Sequence, residues 1–130
     1  MKGQGMSEFP FATFRIELGP DKRLGPGKVR LLELVGETGS ISAAARAMKM
    51  SYRRAWLLIE EANGLFGAPL VESSTGGAGG GGAKVTPLGL EVVTAYRAFE
   101  SDVNGLVEAR LGKFPGIKRR AASARRSKRT

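Results

Sequence analysis

Two arginines and two aromatic residues lie within five consecutive positions, at Tyr52, Arg53, Arg54 and Trp56. Guanidinium groups form hydrogen bonds with guanine and with phosphate, and aromatic rings can contact a thymine methyl group. Ser51 can cap a helix that starts at Tyr52, because its hydroxyl accepts a hydrogen bond from an unpaired backbone N–H. Most arginines are solvated surface charges. Side chains in the first turns of a helix that follows a sharp corner, however, are typical of contacts with base edges in the major groove.

The residues after this cluster have the spacing of an amphipathic helix. At about 100° per residue, six apolar residues fall on one side and predict a buried stripe: Ala55, Leu58, Ile59, Ala62, Leu65 and Phe66. The same geometry directs four side chains away from the core: Arg53, Trp56, Leu57 and Glu60. Arg53 is therefore the best candidate for a base contact, whereas Arg54, nearer the flank of the helix, is the better candidate for phosphate. Tyr52 and Trp56 are candidates for either the DNA backbone or a thymine methyl group.

A shorter helix precedes the cluster. Four alanines between residues 43 and 47 give it high helix propensity and allow close approach of a neighbouring helix. Either Ser40 or Ser42 can cap it, and residues 48–50 form the corner to the next helix. Two helices joined so tightly predict a helix-turn-helix. Ser40, Ser42 and Ser51 are also candidate DNA contacts, because helix-start N–H groups favour phosphate, and Lys49 in the corner is another.

A glycine-rich segment follows the second helix. Residues 69–73 and 83–86 are predicted as two short strands, with a loop from Gly76 to Gly82 and with Lys84 at its base. Six of the seven loop residues are glycine, so a match to the nucleotide-binding spacing G-x-G-x-x-G is expected from composition alone. Because no helix opens directly after the loop, nucleotide binding is disfavoured. The alternatives are a flexible hairpin tip, or a wing whose backbone comes close to DNA phosphates. The predicted wing glycines are Gly76, Gly77, Gly79, Gly80, Gly81 and Gly82.

The segment before the helix-turn-helix predicts a strand and a helix. Phe14, Ile16 and Leu18 alternate with polar residues, which indicates a half-buried strand. Pro26 can open a helix at its first position, and Gly39 is a plausible C-terminal cap after Thr38. We expect this helix to complete a three-helix core.

A last long helix is predicted from Thr86 and Pro87, a typical N-cap and first-turn pair. Five apolar residues recur at spacings of four and three, as in a helix that packs along one seam: Val92, Tyr96, Phe99, Val103 and Leu106. This stripe could simply cover the domain's own core. A helix of about 25 residues exceeds about 35 Å, however, and is longer than so small a core. Part of it is therefore predicted to form a homodimer.

Composition restricts the function classes. The chain has no cysteine and no histidine, which argues against a zinc site or a Ser-His triad. Its net charge is +9, but eight of the 21 basic residues lie after Gly112, where there is no acidic residue. Residues 1–10 and this basic tail, residues 113–130, are predicted to be disordered, with one domain at residues 11–112. We find no membrane span and no secretory signal, and expect a cytoplasmic protein.

The run G-S-I-S-A-A-A-R-A-M-K-M-S-Y-R-R-A-W at residues 39–56 is the most specific feature. With Asn63, residues 66–71, the glycine run and Leu88-Gly89, it resembles the N-terminal DNA-binding domain of the ModE family of molybdate-responsive transcriptional regulators. That family shares its winged helix-turn-helix plan with the LysR group, and the resemblance covers roughly residues 14–100. In the family, molybdate is bound by C-terminal oligonucleotide-fold modules. We see no strand-rich segment after Gly112, and expect no direct molybdate binding and no cofactor.

The predicted fold is mainly α with a small β-hairpin wing: a winged helix-turn-helix with a long C-terminal dimerisation helix. The resemblance implies a bacterial transcriptional regulator, not an enzyme, that binds double-stranded DNA as a homodimer on a palindromic operator. Two alternatives remain open. The basic tail favours a nonspecific nucleoid-type nucleic-acid-binding protein, and the nearly neutral remainder favours a helix-turn-helix that serves as a protein-interaction module.

Overall fold

The structure is a computed structural model that describes residues 9–77 and 80–117. The described residues form four helices and two antiparallel hairpins, which confirms the predicted mainly α fold with a small β-hairpin wing. The helices are α1 (Pro26–Thr38), α2 (Ile41–Ala47), α3 (Tyr52–Asn63) and α4 (Pro87–Leu111). The strands are β1 (Ile16–Gly19), β2 (Lys22–Leu24), β3 (Val71–Gly77) and β4 (Gly80–Val85), with β1 paired to β2 and β3 to β4.

Local sequence signals fix the two ends of α1. Pro26 occupies the first helical position, where its missing N–H leaves no hydrogen bond unmade. Gly39 adopts φ 72°, a left-handed conformation that favours glycine, and its N–H donates to the Val35 carbonyl at 2.8 Å. Both predicted boundaries are confirmed.

Two serines cap the helices of the helix-turn-helix. Ser40 Oγ accepts a hydrogen bond from Ala43 N at 3.0 Å, so Ser40 rather than Ser42 caps α2. Ser51 Oγ accepts from Arg54 N at 3.1 Å and caps α3. Between them the corner turns at Lys49, which takes φ 58°. The predicted tight connection is therefore present.

The hydrophobic core lies in the unit formed by Phe14–Arg97. Its largest fully buried side chains come from α1, from Leu70 before the wing, and from Tyr96 of α4. Small buried residues of α2 and α3 let these helices pack closely against α1: Ala44, Ala45, Ala55 and Ala62. Tyr96 Oη donates to the Phe14 carbonyl at 2.8 Å, which fixes the segment before β1 on α4.

Three predictions for this unit are wrong in detail. Leu18 is exposed, because β1 pairs only with the three-residue β2, which the sequence did not predict. Phe66 is 39% exposed and Leu65 only half-buried, because α3 ends at Asn63 and the chain turns away before them. The predicted glycine loop is largely strand, since β3 continues to Gly77 and β4 begins at Gly80.

Backbone pairing explains these glycine strands. A cross-strand ladder is held by N–H and C=O groups and needs no side chain. Gly82 lies opposite Ser74, and Gly80 lies opposite Gly77. Five of the six predicted wing glycines therefore belong to the strands of the hairpin: Gly76, Gly77, Gly80, Gly81 and Gly82. The remaining one, Gly79, lies outside the described residues.

A second unit consists, within the described residues, of residues 9–13 and 98–117. Asn104 joins its two segments: Oδ1 accepts from Ala12 N, and Nδ2 donates to Ala12 O at 3.4 Å and to Glu100 O at 2.9 Å. Its larger exposed apolar side chains are Phe9, Phe99, Leu106, Leu111 and Phe114. Of the termini predicted to be disordered, residues 1–8 and 118–130 lie outside the described residues.

None of the helices in residues 9–77 and 80–117 combines the length and the apolar character that a membrane span requires.

The carboxylate of Glu33 ties α1 to α4. It accepts hydrogen bonds from Arg97 Nε and Nη2, both at 2.9 Å, and from Arg30 Nη1 at 3.0 Å. The hydrogen bonds from Arg97 hold the pKa of Glu33 below its usual range; burial opposes this effect, and Arg30 reinforces it. A depressed pKa means that the folded state favours the charged carboxylate.

We expect this carboxylate to make stability depend on acid pH. Its contribution is fully present above the unfolded glutamate pKa of about 4.3 and is lost as the pH falls through the lower pKa of the folded state. Glu33→Gln should therefore lower the melting temperature at pH 7 and should flatten its decline below about pH 4.3. Glu91→Gln removes an exposed carboxylate from α4 and should leave the pH profile unchanged. Parallel profiles for wild type and Glu33→Gln would contradict the assignment.

Candidate nucleic-acid interface

The outward face of α3 is centred on three residues. Ala55, Ile59 and Ala62 are buried against the core. Helical geometry places Arg53, Leu57 and Glu60 opposite that stripe, and all three are exposed. Arginine, leucine and glutamate thus form one row along the helix.

The other predicted residues of α3 lie on its flanks. Tyr52 is 55% and Trp56 43% exposed, on one side of the row, and Arg54 is exposed on the other. Neither aromatic side chain belongs to the buried core. They widen the outward face into a surface of mixed aromatic and cationic character.

The helix before α3 adds cations and hydroxyl groups. Ser42, Arg46 and Lys49 are exposed on α2 and the corner. The hydroxyl oxygens of Ser40 and Ser51 accept capping hydrogen bonds, but each hydroxyl still has its hydrogen to donate to an anion. Arg46 was not among the predicted contacts. Its position three residues before Lys49 could have indicated that both cations lie near the corner.

Five cations of the Phe14–Arg97 unit outside the helix-turn-helix form ion pairs, whereas Lys22 and Lys84 form none within the described residues. Arg15 and Arg23 pair with Glu17, Lys28 pairs with Glu61, and Arg30 and Arg97 pair with Glu33. Among the residues that the structure describes, no carboxylate lies within 4.0 Å of the cationic groups on the helix-turn-helix. These are Arg46, Lys49, Arg53 and Arg54. Their charges are left available to an external anion.

The wing is anchored to the end of α1. Ala83 N donates to the Gly39 carbonyl at 3.0 Å. A Cβ atom on Gly82 would lie 3.0 Å from that same carbonyl oxygen and 3.0 Å from Ser74 Oγ, so glycine permits the close approach. Lys84 is exposed at the base of the wing and lies directly opposite Glu72 across the strands.

Asn63 joins the end of α3 to the start of the wing. Its Oδ1 accepts from Leu70 N at 2.8 Å and from Val71 N at 3.0 Å, and its Nδ2 donates to Val71 O at 3.2 Å. The side chain thus satisfies three backbone groups at the entry to β3. In the sequence, Asn63 contributes only to the resemblance to the ModE family; its position directly before Gly64, which ends α3, was the available signal.

The predicted dimerisation residues differ in burial. Val92 and Tyr96 are buried in the core of Phe14–Arg97, and Val103 is half-buried. Phe99 and Leu106 remain 49% and 55% exposed. Any surface that α4 offers to a second chain is therefore centred on its later residues.

The described residues contain no cluster of three or more acidic, histidine or cysteine side chains suited to a metal ion.

The helix-turn-helix region is similar to known bacterial proteins. Residues 27–90 match the bacterial regulatory helix-turn-helix proteins of the lysR family. The molybdenum-pterin-binding protein MopB of Rhodobacter capsulatus is 45% identical over 87 residues, 67% of this chain and 32% of MopB. MopA of the same organism is 35% identical over 120 residues, 92% of this chain and 42% of MopA. The DNA-binding transcriptional dual regulator ModE of Escherichia coli K12 is 42% identical over 71 residues, 55% of this chain and 27% of ModE.

These similarities confirm the predicted resemblance to ModE over the helix-turn-helix region. The chain spans less than half the length of each of these relatives. The Escherichia coli relative is named as a DNA-binding transcriptional regulator, in agreement with the expectation from the sequence.

Proposed function

We propose that the chain is a DNA-binding transcriptional regulator, in line with the match of residues 27–90 to the lysR-family helix-turn-helix and with the similarity to the regulator ModE. One observation carries the proposal. The helix-turn-helix presents Arg46, Lys49, Arg53 and Arg54 without an ion-pair partner in the described residues, whereas the cations of α1 and Arg97 of α4 are paired. Phosphate groups neutralise such a surface.

In the proposed complex, α3 lies in the major groove and α2 crosses the DNA backbone. Arg53, in the outward row, pairs with a guanine, because its guanidinium matches the two acceptors of that base. Arg54, Arg46 and Lys49 contact phosphate, together with the hydroxyl groups at the helix starts. Tyr52 and Trp56 contact the backbone or a thymine methyl group. The wing glycines bring the hairpin backbone, with Lys84 at its base, close to an adjacent phosphate.

We propose that two copies of the chain bind DNA as a homodimer. A dimer with twofold symmetry meets a palindrome whose half-sites lie one helical turn, or about 34 Å, apart. The exposed apolar residues on the later part of α4, Phe99 and Leu106, support a contact with the same residues of a second copy. Val103 lies between these two residues in the sequence and is half-buried, so it would lie at the edge of this contact.

The proposed organisation retains one DNA-binding domain at residues 11–112 and a basic tail at residues 113–130. The tail would add affinity for any DNA through its eight positive charges, with a strong dependence on salt. We place the protein in the cytoplasm, where it meets DNA. Molybdenum binding is stated in the names of MopA and MopB, and we assign no molybdate contact to this chain.

Binding to selected and scrambled DNA tests the proposal. A duplex is first selected by the full chain from a random pool, and fluorescence anisotropy then compares it with a scrambled duplex at several salt concentrations. We expect the selected duplex to bind at least about 10³-fold more tightly. Equal affinity for both would establish a nonspecific nucleic-acid binder, and no binding to either would favour a protein-interaction module.

The single tryptophan provides an internal reporter for the same experiment. Trp56 is the only tryptophan in the chain and stands half exposed beside the outward row of α3. Its emission should change on addition of the selected duplex, because contact with DNA replaces water around the indole ring. Unchanged emission at saturating DNA would place the contact elsewhere.

The proposed dimer predicts the effect of a charge on α4. Leu106→Glu should weaken self-association at least about tenfold, because it puts two like charges, related by the dimer axis, into an apolar contact. Ser101→Glu adds the same charge at an exposed position on another side of α4 and serves as the control. Sedimentation equilibrium measures the dissociation constants. If both variants associate as the wild type does, the later part of α4 is not the dimer contact.

A further inference from the structure

The outward row of α3 ends in a negative charge. Glu60 follows Arg53 by seven residues, which is two helical turns and about 10 Å along the axis. It is exposed, and its carboxylate has no ion-pair partner among the described residues. The adjacent Glu61, by contrast, is bound to Lys28 Nζ at 3.1 Å and points to α1. The two neighbouring glutamates therefore have different surroundings.

A free carboxylate is costly on this face. If α3 enters the major groove, Glu60 comes between two phosphate strands, each with one charge per about 3.4 Å. Its repulsion from phosphate weakens binding to every DNA sequence. No described cation is paired with Glu60 to remove that repulsion.

The groove offers a carboxylate one favourable contact. A carboxylate only accepts hydrogen bonds, and the donors at the floor of the major groove are amino groups: N4 of cytosine and N6 of adenine. Adenine presents its amino group next to the acceptor N7, which repels a second carboxylate oxygen, whereas cytosine presents N4 without that acceptor on the same base. The carboxylate thus favours cytosine and penalises bases with acceptors only.

We propose that Glu60 is a specificity-determining residue that accepts a hydrogen bond from a cytosine amino group in each half-site. This inference rests on the proposed function. Arg53 and Glu60 then read two bases from one helix row, a guanine and a cytosine roughly two to three base pairs apart at 3.4 Å per step. Leu57 lies between them as an apolar contact. Arg53 thus contributes attraction to guanine, and Glu60 contributes repulsion from bases that present only acceptors.

Base substitution in the selected duplex tests the inference with full-length protein. Each base pair of the half-site is replaced in turn, and the dissociation constants of wild type, Glu60→Gln and Glu60→Ala are measured. For wild type, replacing the cytosine should weaken binding roughly five- to a hundredfold. Glu60→Gln should move the preference at that one position to adenine, because glutamine pairs bidentately with adenine, and Glu60→Ala should abolish it. Both variants should bind scrambled DNA more tightly than wild type.

Glu91→Gln is the matched control. It removes one exposed carboxylate from α4 that forms no ion pair within the described residues, and should leave base preference unchanged at every position. If Glu60→Gln and Glu60→Ala keep the wild-type preference at every position, Glu60 reads no base and the inference is overturned. If wild type itself does not distinguish selected from scrambled DNA, the proposed function has failed first.

Discussion

Gly89→Ala should unfold this protein at a markedly lower temperature than the wild type. Gly89 lies in the first turn of α4, and its N–H donates to Thr86 Oγ1 at 3.0 Å. A Cβ atom there would collide with the Leu70 carbonyl oxygen and would lie 2.6 Å from Val85 Cγ1. Leu70 is fully buried and its carbonyl accepts a hydrogen bond from Thr86 N at 2.9 Å, so it has no room to move away.

The collision places the cost at the upper end of the range for overpacked cores, about 3 kcal/mol. For a domain of this size, such a loss lowers the melting temperature by about 10 °C or more. Thermal unfolding followed by circular dichroism measures the shift. The wing should also lose its position, because Leu70 leads directly into β3.

A second glycine in the same helix is the control for Gly89→Ala. Gly105 is exposed in α4, and a Cβ atom at this position would have no neighbour within 4 Å. Gly105→Ala should therefore stabilise the protein by about 0.5–1 kcal/mol through helix propensity alone. Equal effects of the two substitutions would show that the first turn of α4 tolerates a side chain.

Signals of a few neighbouring residues were enough to predict the helices. Pro26 and Gly39 fixed the ends of α1, and Ser51 fixed the start of α3, because caps and prolines act on the backbone within one turn. The end of α3 depends on a distant partner. The apolar spacing continues to Phe66, but Asn63 binds the backbone of Leu70 and Val71, and the chain turns to reach them.

The sequence predicted the outward orientation of the candidate residues on α3, but not the electrostatics of this surface. The spacing placed Arg53 and Trp56 outward, as they are. Tertiary structure decides which cations are ion-paired, because it brings together acidic and basic residues that are distant in sequence. Arg30 and Arg97, for example, are 67 positions apart and both pair with Glu33. Strand β2 was missed for a similar reason. Only Leu24 of its three residues is buried, so its existence depends on pairing with β1.

Arg53→Ala should reduce both the affinity for the selected duplex and the preference for one base. Arg53 is the first residue of the outward row, and its guanidinium has no described carboxylate within 4.0 Å that would hold it on the protein. In the proposed complex it forms two hydrogen bonds with one guanine. Their loss should cost about 1–3 kcal/mol on the selected duplex and much less on scrambled DNA.

Arg54→Ala provides the contrast, since the two arginines are adjacent and carry the same charge. Arg54 lies on the flank of α3, where it would contact phosphate, so its loss should weaken binding to all duplexes by a similar factor. It should also reduce the slope of log affinity against log salt by about one. The Arg53→Ala variant should show no preference for guanine at the contacted position, even at low salt. That preference comes from hydrogen bonds and not from counterion release. If Arg53→Ala instead weakens selected and scrambled duplexes equally, Arg53 is a phosphate contact and the base is read by another residue of the row.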